Sequence, residues 1–151
     1  MPLLRPINLP APLIVQSVTL VGFGIYTTFF RGPIYSTADG HYSLFVPANP
    51  SPRVADTLTL LGIVTTGLQG AYLISSYMPL EENQFVHASV PARLFLSACM
   101  LSVCLVHRPH MSSGGFRELL TLGLVDGAAA AALGFQLGRF DGMVKNAERW
   151  L

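Results

Sequence analysis

The stretch that decides the fold covers residues 116–138 and reads FRELLTLGLVDGAAAAALGFQLG. It is strongly apolar and as long as the roughly 20 residues that an α-helix needs to cross a bilayer. Asp126 nevertheless lies almost at its midpoint. An aspartate at membrane depth costs about 3 kcal/mol or more, so it must face protein or water and have a partner. The stretch therefore predicts a membrane helix, with a polar partner for Asp126 elsewhere in the chain.

The composition of the whole chain is also that of a membrane protein. Of its 151 residues, 51% are hydrophobic and only 11% are charged, and the mean hydropathy is +0.50. A soluble domain carries about 25% charged residues. The net charge of +1 gives no basic surface, so we expect no nucleic-acid partner. We expect one transmembrane domain over residues 1–151, surrounded by the lipid bilayer.

Apolar windows long enough to span a membrane occur four times. They cover residues of about 11–30, 57–78, 88–107 and 116–138. We predict an all-α, integral membrane four-helix bundle, with both termini on the same side because the number of spans is even. Arginine and lysine residues divide almost evenly between the two sides, so the positive-inside rule gives no firm orientation.

The first window also resembles a secretory signal. Arg5 precedes it, and Ser-Thr-Ala at residues 36–38 imitates a cleavage site. Its apolar run is longer than the roughly 7 to 15 residues of a signal core, so we favour a membrane span. Residues 31–52 then form a long loop that mixes turn formers with aromatic residues. This loop is predicted to cover the helices as a lid or to anchor in the membrane interface.

Arg93, in the third span, is the predicted partner of Asp126. At 1.5 Å per residue, Arg93 lies roughly 9 Å from one end of the spans, and Asp126 roughly 18 Å from the same end. An extended arginine side chain bridges much of this difference, so we predict a buried ion pair. Such a pair could be an interhelical clamp without chemistry. It could equally hold a carboxylate for acid–base catalysis.

Two further sets of polar residues complete the predicted site. In the second span, Thr65, Gln69 and Tyr72 follow the spacing i, i+4 and i+7, which places them on one helix face. We assign these three residues to substrate binding. Glu81 and His87 lie in the loop before the third span and at its entrance. We predict one of them as the second catalytic group and His87 as a proton shuttle, although Glu81 could simply be solvated.

Small residues at four-residue spacing predict close helix packing. The fourth span contains Gly123 and Gly127, and the second contains Gly62, Thr66 and Gly70. Such spacing lets helix backbones approach closely, which predicts a tight contact involving spans two and four. Homodimerisation through these glycine-rich faces is the alternative.

A short internal similarity links the same two spans. Residues 61–66 read LGIVTT and residues 122–127 read LGLVDG. This similarity fits a duplicated helical hairpin, although six small and aliphatic positions can also match by chance.

The sequence contains no phosphate-binding glycine loop, dinucleotide fingerprint or ligand-spaced cluster, so we expect no cofactor and no metal. With four spans, Asp126 in the last and Arg93 near the start of the third, the chain resembles small fungal membrane proteins of natural-product pathways, of the epoxide hydrolase and cyclase type. The resemblance implies a cofactor-independent enzyme of the endoplasmic reticulum membrane. It would open, hydrolyse or cyclise epoxides on a lipophilic polyketide- or terpenoid-like substrate. The alternative is a non-catalytic membrane subunit or lipid-binding module that packs against a larger partner.

Overall fold

A computed structural model describes residues 7–30 and 51–144 of the chain. Within these ranges every regular element is helical. The long helices are α1 (Ala11–Phe29), α2 (Pro52–Ser75), α3 (Gln84–Val106) and α4 (Ser113–Leu137); two short 3₁₀ turns cover Leu80–Glu82 and Arg108–His110. The predicted lid or anchor in the first loop lies mostly at residues 31–50, outside the described residues.

All four long helices are long and apolar enough to cross a membrane. By length and composition the chain is therefore a multi-pass membrane protein, as predicted. The all-α class is confirmed, with the four helices that the predicted four-helix bundle requires.

Two of the helices begin several residues before their apolar windows. α2 begins at Pro52, after Ser51, whose Oγ accepts a hydrogen bond from the Val54 N–H at 3.4 Å. α3 begins at Gln84, after Asn83, whose Oδ1 accepts a hydrogen bond from the Val86 N–H. A capping side chain, and in α2 also a proline at the first helical position, sets where a helix begins, and hydropathy does not detect such signals.

The contacts within the chain divide it into two compact units, Met1–Tyr77 and Met78–Leu151. The first unit contains α1 and α2, and the second contains α3 and α4. Each helix pair is antiparallel, and we refer to the pairs as hairpin 1 and hairpin 2. The single transmembrane domain over residues 1–151 stays a prediction.

Hairpin 1 is held together by a close backbone contact between Gly24 and Gly62. A Cβ atom on Gly24 would lie 2.7 Å from the Gly62 carbonyl oxygen, and one on Gly62 would lie 2.6 Å from the Gly24 carbonyl oxygen. Both distances are far below van der Waals contact, so only glycine permits this approach at either position. α1 therefore has a packing role in this hairpin.

The open end of hairpin 1 is tied by Asn8, which precedes α1. Its backbone N–H donates to the Ser76 carbonyl at 2.8 Å, and its Nδ2 donates to the Tyr77 carbonyl at 3.3 Å. Both carbonyls belong to the turn after α2. These bonds satisfy carbonyl groups that have no helical partner beyond the last turn.

Hairpin 2 has a similar close contact, but it is made by a serine. The Ser97 Oγ on α3 donates to the Gly123 carbonyl on α4 at 2.6 Å. A Cβ atom on Gly127 would lie 3.1 Å from the Ser97 Cβ. Gly62, Gly123 and Gly127 were predicted to mediate a tight contact involving spans two and four. Gly62 lies instead against α1, and Gly123 and Gly127 lie against α3.

The chain beyond α4 folds back onto the start of α3. Gly138 ends α4 in the left-handed conformation, with φ 69°, which glycine adopts readily. The Gln84 Nε2 then donates to the Gly142 carbonyl at 2.8 Å, and its Oε1 accepts from the Val144 N–H at 3.3 Å. A side-chain amide therefore ties the open end of hairpin 2, as Asn8 does in hairpin 1.

Candidate functional site

Arg93 of α3 and Asp126 of α4 form the predicted ion pair in hairpin 2. Both the Nε and the Nη2 atoms of Arg93 donate to the Oδ1 atom of Asp126, at 2.9 and 2.6 Å. The Arg93 side chain is 11% exposed and that of Asp126 is 22% exposed. Arg93 lies one turn before Ser97, and Asp126 follows Gly123 by three residues. The Ser97–Gly123 contact therefore brings the two charged side chains within reach of each other.

The pair leaves hydrogen-bonding capacity unused on both partners. The Oδ2 atom of Asp126 accepts no hydrogen bond from residues 7–30 or 51–144. Arg93 has five N–H donors and uses two of them on Asp126; the remaining donors have no partner within the same ranges. An oxygen that can accept a proton therefore lies beside groups that can donate hydrogen bonds.

Glu81 and His87 form a second group, at the end of hairpin 2. Together with Leu80, Gln136 and Leu137 they line a small cavity of about 60 Å³. His87 is buried, and its Nε2 lies 3.2 Å from the Leu80 carbonyl oxygen. Because a carbonyl oxygen only accepts hydrogen bonds, Nε2 carries the proton of this bond.

The four residues predicted as catalytic thus lie in two groups. His87 precedes Arg93 by six residues on α3, which is about 9 Å along the helix axis. The structure brings Arg93 to Asp126 and Glu81 to His87, at different depths of the same hairpin. The catalytic roles of all four residues stay predictions.

The residues predicted to bind substrate lie on α2 in hairpin 1. Gln69 and Tyr72 are buried and Thr65 is half-buried, so the predicted polar stripe lies on the packed side of the helix. Their role in substrate binding stays a prediction.

Several polar residues of these hairpins were not predicted from the sequence. Ser17 is fully buried on α1, and its Oγ has no hydrogen-bond partner among residues 7–30 and 51–144. It precedes Gly24 by seven residues, while Gln69 follows Gly62 by seven. Because α1 and α2 are antiparallel, seven residues back along α1 and seven residues forward along α2 lead towards the same end of hairpin 1. Ser17 and Gln69 therefore lie at the same level, about two helical turns from the close contact. The seven-residue spacing from Gly24 was a usable signal for Ser17.

Ser97 and Gln136 were also missed. Ser97 is one turn from Arg93 and is the buried residue that positions the ion pair, a relation visible in the spacing once Arg93 is singled out. Gln136 lines the Glu81–His87 cavity, but nothing in its sequence context distinguishes it from a surface glutamine.

No group of three or more histidine, cysteine, aspartate or glutamate side chains that could hold a metal ion occurs within residues 7–30 and 51–144. No protein family, curated protein or solved structure matches the chain. The function must therefore be inferred from the geometry of the two polar groups in hairpin 2.

Proposed function

We propose that the chain is a small membrane enzyme that opens an epoxide on a lipophilic substrate, with Asp126 as general base and Arg93 as hydrogen-bond donor. One observation carries this proposal: Arg93 binds only the Oδ1 atom of Asp126, so Oδ2 is left to accept a proton. A carboxylate placed beside a proton donor of the substrate is the arrangement that general base catalysis requires.

The reaction needs only these two side chains and water. As a water oxygen bonds to one epoxide carbon, Oδ2 of Asp126 takes a proton from that water. The carbon–oxygen bond of the epoxide breaks, and its oxygen keeps the electron pair as an alkoxide. The free N–H groups of Arg93 stabilise the developing negative charge. The alkoxide then takes the proton from Asp126, which gives a diol and restores the carboxylate.

A hydroxyl group of the substrate can replace the water. Oδ2 then takes the hydroxyl proton, the new carbon–oxygen bond closes a ring, and the product is a cyclic ether. The position of Asp126 near the middle of α4 suits a substrate that arrives from the bilayer. The more specific polyketide- or terpenoid-like substrate and the endoplasmic reticulum location rest on the resemblance alone.

A non-catalytic membrane subunit is the second candidate. It is supported by the position of the ion pair beside the Ser97–Gly123 hydrogen bond, because the two interactions together tie α3 to α4 over neighbouring turns. Polar contacts between membrane helices often have only this packing role.

The experiment compares wild type with Asp126→Asn in microsomes matched for expression. Both are supplied with a panel of lipophilic epoxides in ¹⁸O-labelled water, and products are identified by mass spectrometry. We expect Asp126→Asn to lose activity by about 100-fold or more, because it removes the base. Asp141→Asn is the matched control, since it removes the carboxylate of the exposed Arg139–Asp141 pair in the same hairpin.

Equal turnover by wild type and Asp126→Asn would contradict a catalytic Asp126. An absence of turnover by folded wild type across the whole panel would favour the non-catalytic candidate.

A further inference from the structure

The proposed reaction makes no use of the cavity at the end of hairpin 2. We propose that this cavity binds a primary ammonium group, carried by the ethanolamine head group of a phospholipid or by a soluble amine. The cavity lies between the 3₁₀ turn Leu80–Glu82, the start of α3 and the end of α4. The inference rests on hairpin 2 alone and does not depend on the role proposed for Asp126.

The first reason is an unpaired negative charge. Glu81 lines the cavity, and its carboxylate has no ion-pair or hydrogen-bond partner within residues 7–30 and 51–144. The side-chain amide of Gln136, which also lines the cavity, has no partner in the same ranges. A carboxylate beside an amide oxygen offers acceptors for a cation that carries N–H groups.

The second reason is the buried imidazole of His87. Only 2% of this residue is exposed, although it lines the cavity. Its Nε2 proton is directed to the Leu80 carbonyl, so in the neutral ring the Nδ1 atom is an acceptor, and it has no partner in the described chain.

The size of the cavity favours a primary over a quaternary ammonium. Its volume is about 60 Å³, and one water molecule needs roughly 10–15 Å³, so there is room for an ammonium group and a few waters. A trimethylammonium group is bulkier and has no N–H to donate. It could therefore make no hydrogen bond to Glu81 or to the buried His87 ring, whereas a primary ammonium could bind both.

The position of the cavity suits a lipid head group. α3 begins at Gln84 and α4 ends at Leu137, so the cavity lies where two membrane-length helices end. The ends of such helices lie at the level of the lipid head groups. The same chemistry would also capture a soluble amine from the water phase, and the experiment distinguishes the two sources.

The test uses the full chain in phosphatidylcholine nanodiscs, with and without phosphatidylethanolamine, and measures the thermal unfolding midpoint. The same phosphatidylcholine nanodiscs are titrated with ethanolamine and, as the quaternary control, with tetramethylammonium. The variants are Glu81→Gln and Glu82→Gln. Both glutamates are exposed in the same 3₁₀ turn, but only Glu81 lines the cavity, so the two variants make the same change in charge.

We expect ethanolamine or its phospholipid to raise the unfolding midpoint of wild type and of Glu82→Gln. We expect Glu81→Gln to bind about tenfold more weakly, because a charged acceptor has been lost. A response to phosphatidylethanolamine alone assigns the site to a lipid, and a response to free ethanolamine alone assigns it to a soluble amine.

Three results would overturn the proposal: no response of wild type to either amine, equal responses of the two glutamate variants, or equal binding of ethanolamine and tetramethylammonium. The Asp126→Asn variant separates this proposal from the catalytic one, because it is expected to keep the full response to amine whether or not Asp126 is catalytic.

Discussion

Hairpin 1 and hairpin 2 share one packing arrangement but differ in where they place polar groups. The hairpins can be aligned by adding 73 to the residue numbers of α1, which matches Gly24 with Ser97 of α3. Adding 61 to the residue numbers of α2 matches Gly62 with Gly123 of α4. In both hairpins these two residues form the close contact between the helices. The shift of 61 is also the one that aligns LGIVTT with LGLVDG in the sequence.

The burial pattern follows the same shifts. Most buried positions of hairpin 1 fall on buried positions of hairpin 2, although the buried Thr27 falls on the half-buried Met100. The matched pairs are Leu13 with Val86, Ser17 with Val90, Gly62 with Gly123, Gln69 with Ala130, and Tyr72 with Leu133. Helices that pack through one face bury residues at three- and four-residue spacing, so the agreement shows that the two hairpins pack alike; it also fits a duplicated helical hairpin.

The differences between the hairpins show that the packing arrangement and the chemistry can be changed separately. Next to the close contact, Gly24 of α1 faces Thr66 of α2 in hairpin 1. The equivalent residues of hairpin 2 are Ser97 and Gly127, so there the glycine is on the second helix and the hydroxyl residue on the first. The same shifts place Leu20 and Thr65 where hairpin 2 has Arg93 and Asp126. Hairpin 2 therefore carries an ion pair at positions where hairpin 1 has an aliphatic and a hydroxyl side chain.

The largest expected effect comes from giving hairpin 2 the residues of hairpin 1. Arg93→Leu or Asp126→Thr alone should lower the free energy of unfolding by about 3 kcal/mol, because each leaves a poorly solvated charge without its partner. The double variant should lose much less, since Leu20 and Thr65 occupy the same positions in hairpin 1. The measurement is unfolding by sodium dodecyl sulfate, followed by circular dichroism. Additive losses in the double variant would contradict the equivalence of the hairpins.

The close contacts should differ in their tolerance of a methyl group. Gly62→Ala should lower the free energy of unfolding by about 1–3 kcal/mol, because its Cβ would meet the Gly24 backbone. Gly123→Ala should have a smaller effect, since its nearest neighbours, the Leu101 Cδ2 and the Met100 Cβ, are both 3.3 Å away, farther than the Gly24 carbonyl oxygen is from a Cβ on Gly62. Gly67→Ala is the control, as nothing lies within 4 Å of its added Cβ. Equal losses for Gly62→Ala and Gly123→Ala in the same unfolding assay would refute this ranking.

The buried serines should respond to alanine in opposite directions. Ser97→Ala removes a 2.6 Å hydrogen bond and should lower the free energy of unfolding by about 1 kcal/mol. Ser17→Ala removes a hydroxyl that has no partner in the described part of the chain, so stability should stay unchanged or rise. Thermal unfolding in detergent measures both. A loss in Ser17→Ala as large as that in Ser97→Ala would show that the Ser17 hydroxyl has a partner in the folded protein.

The smallest effect concerns the segment that ties the open end of hairpin 2. The Arg139 guanidinium and then the Met143 N–H bind the Asp141 carboxylate and hold its pKa below the ordinary 3.8. Because the folded pKa is below the unfolded one, the stabilisation is complete above pH 3.8 and disappears as the pH falls through the folded pKa. An NMR titration of the carboxyl carbon should show the lowered pKa, and Arg139→Gln should bring it back towards 3.8. An unchanged pKa in that variant would exclude Arg139 as the main cause.

The spans and the ion pair were predictable because both depend on distances along a helix. A helix rises 1.5 Å per residue, so an apolar run of about 20 residues has the length that crosses a bilayer. The same rise places Arg93 roughly 9 Å and Asp126 roughly 18 Å from one end of their spans, within reach of each other. The pairing of each glycine with a particular helix was not predictable. The small-residue spacing around Gly62 and Gly123 shows that a helix can approach closely, but it does not show which helix. The neighbouring helix is determined by how the chain folds back on itself.

The rest of the site depends on turns that hydropathy does not describe. The 3₁₀ turn Leu80–Glu82 holds Glu81 and His87 together at the end of hairpin 2, about two helical turns from the ion pair. The sequence predicts only that Glu81 or His87 acts with Asp126 as the second catalytic group, without a distance between them. The return of residues 139–144 to Gln84 likewise has no periodic signal, since it depends on a left-handed glycine and on one side-chain amide.

The bond from Asn8 to the turn after α2 determines when hairpin 1 can close during biosynthesis. The two residues that it joins, Asn8 and Tyr77, are 69 positions apart. The bond therefore forms only after Tyr77 has left the ribosomal exit tunnel. At that moment the residues of the Gly24–Gly62 contact have already emerged, and the contacts described for this hairpin require nothing from α3 or α4. The first two helices can therefore be inserted and closed as a pair while the second pair is still being translated.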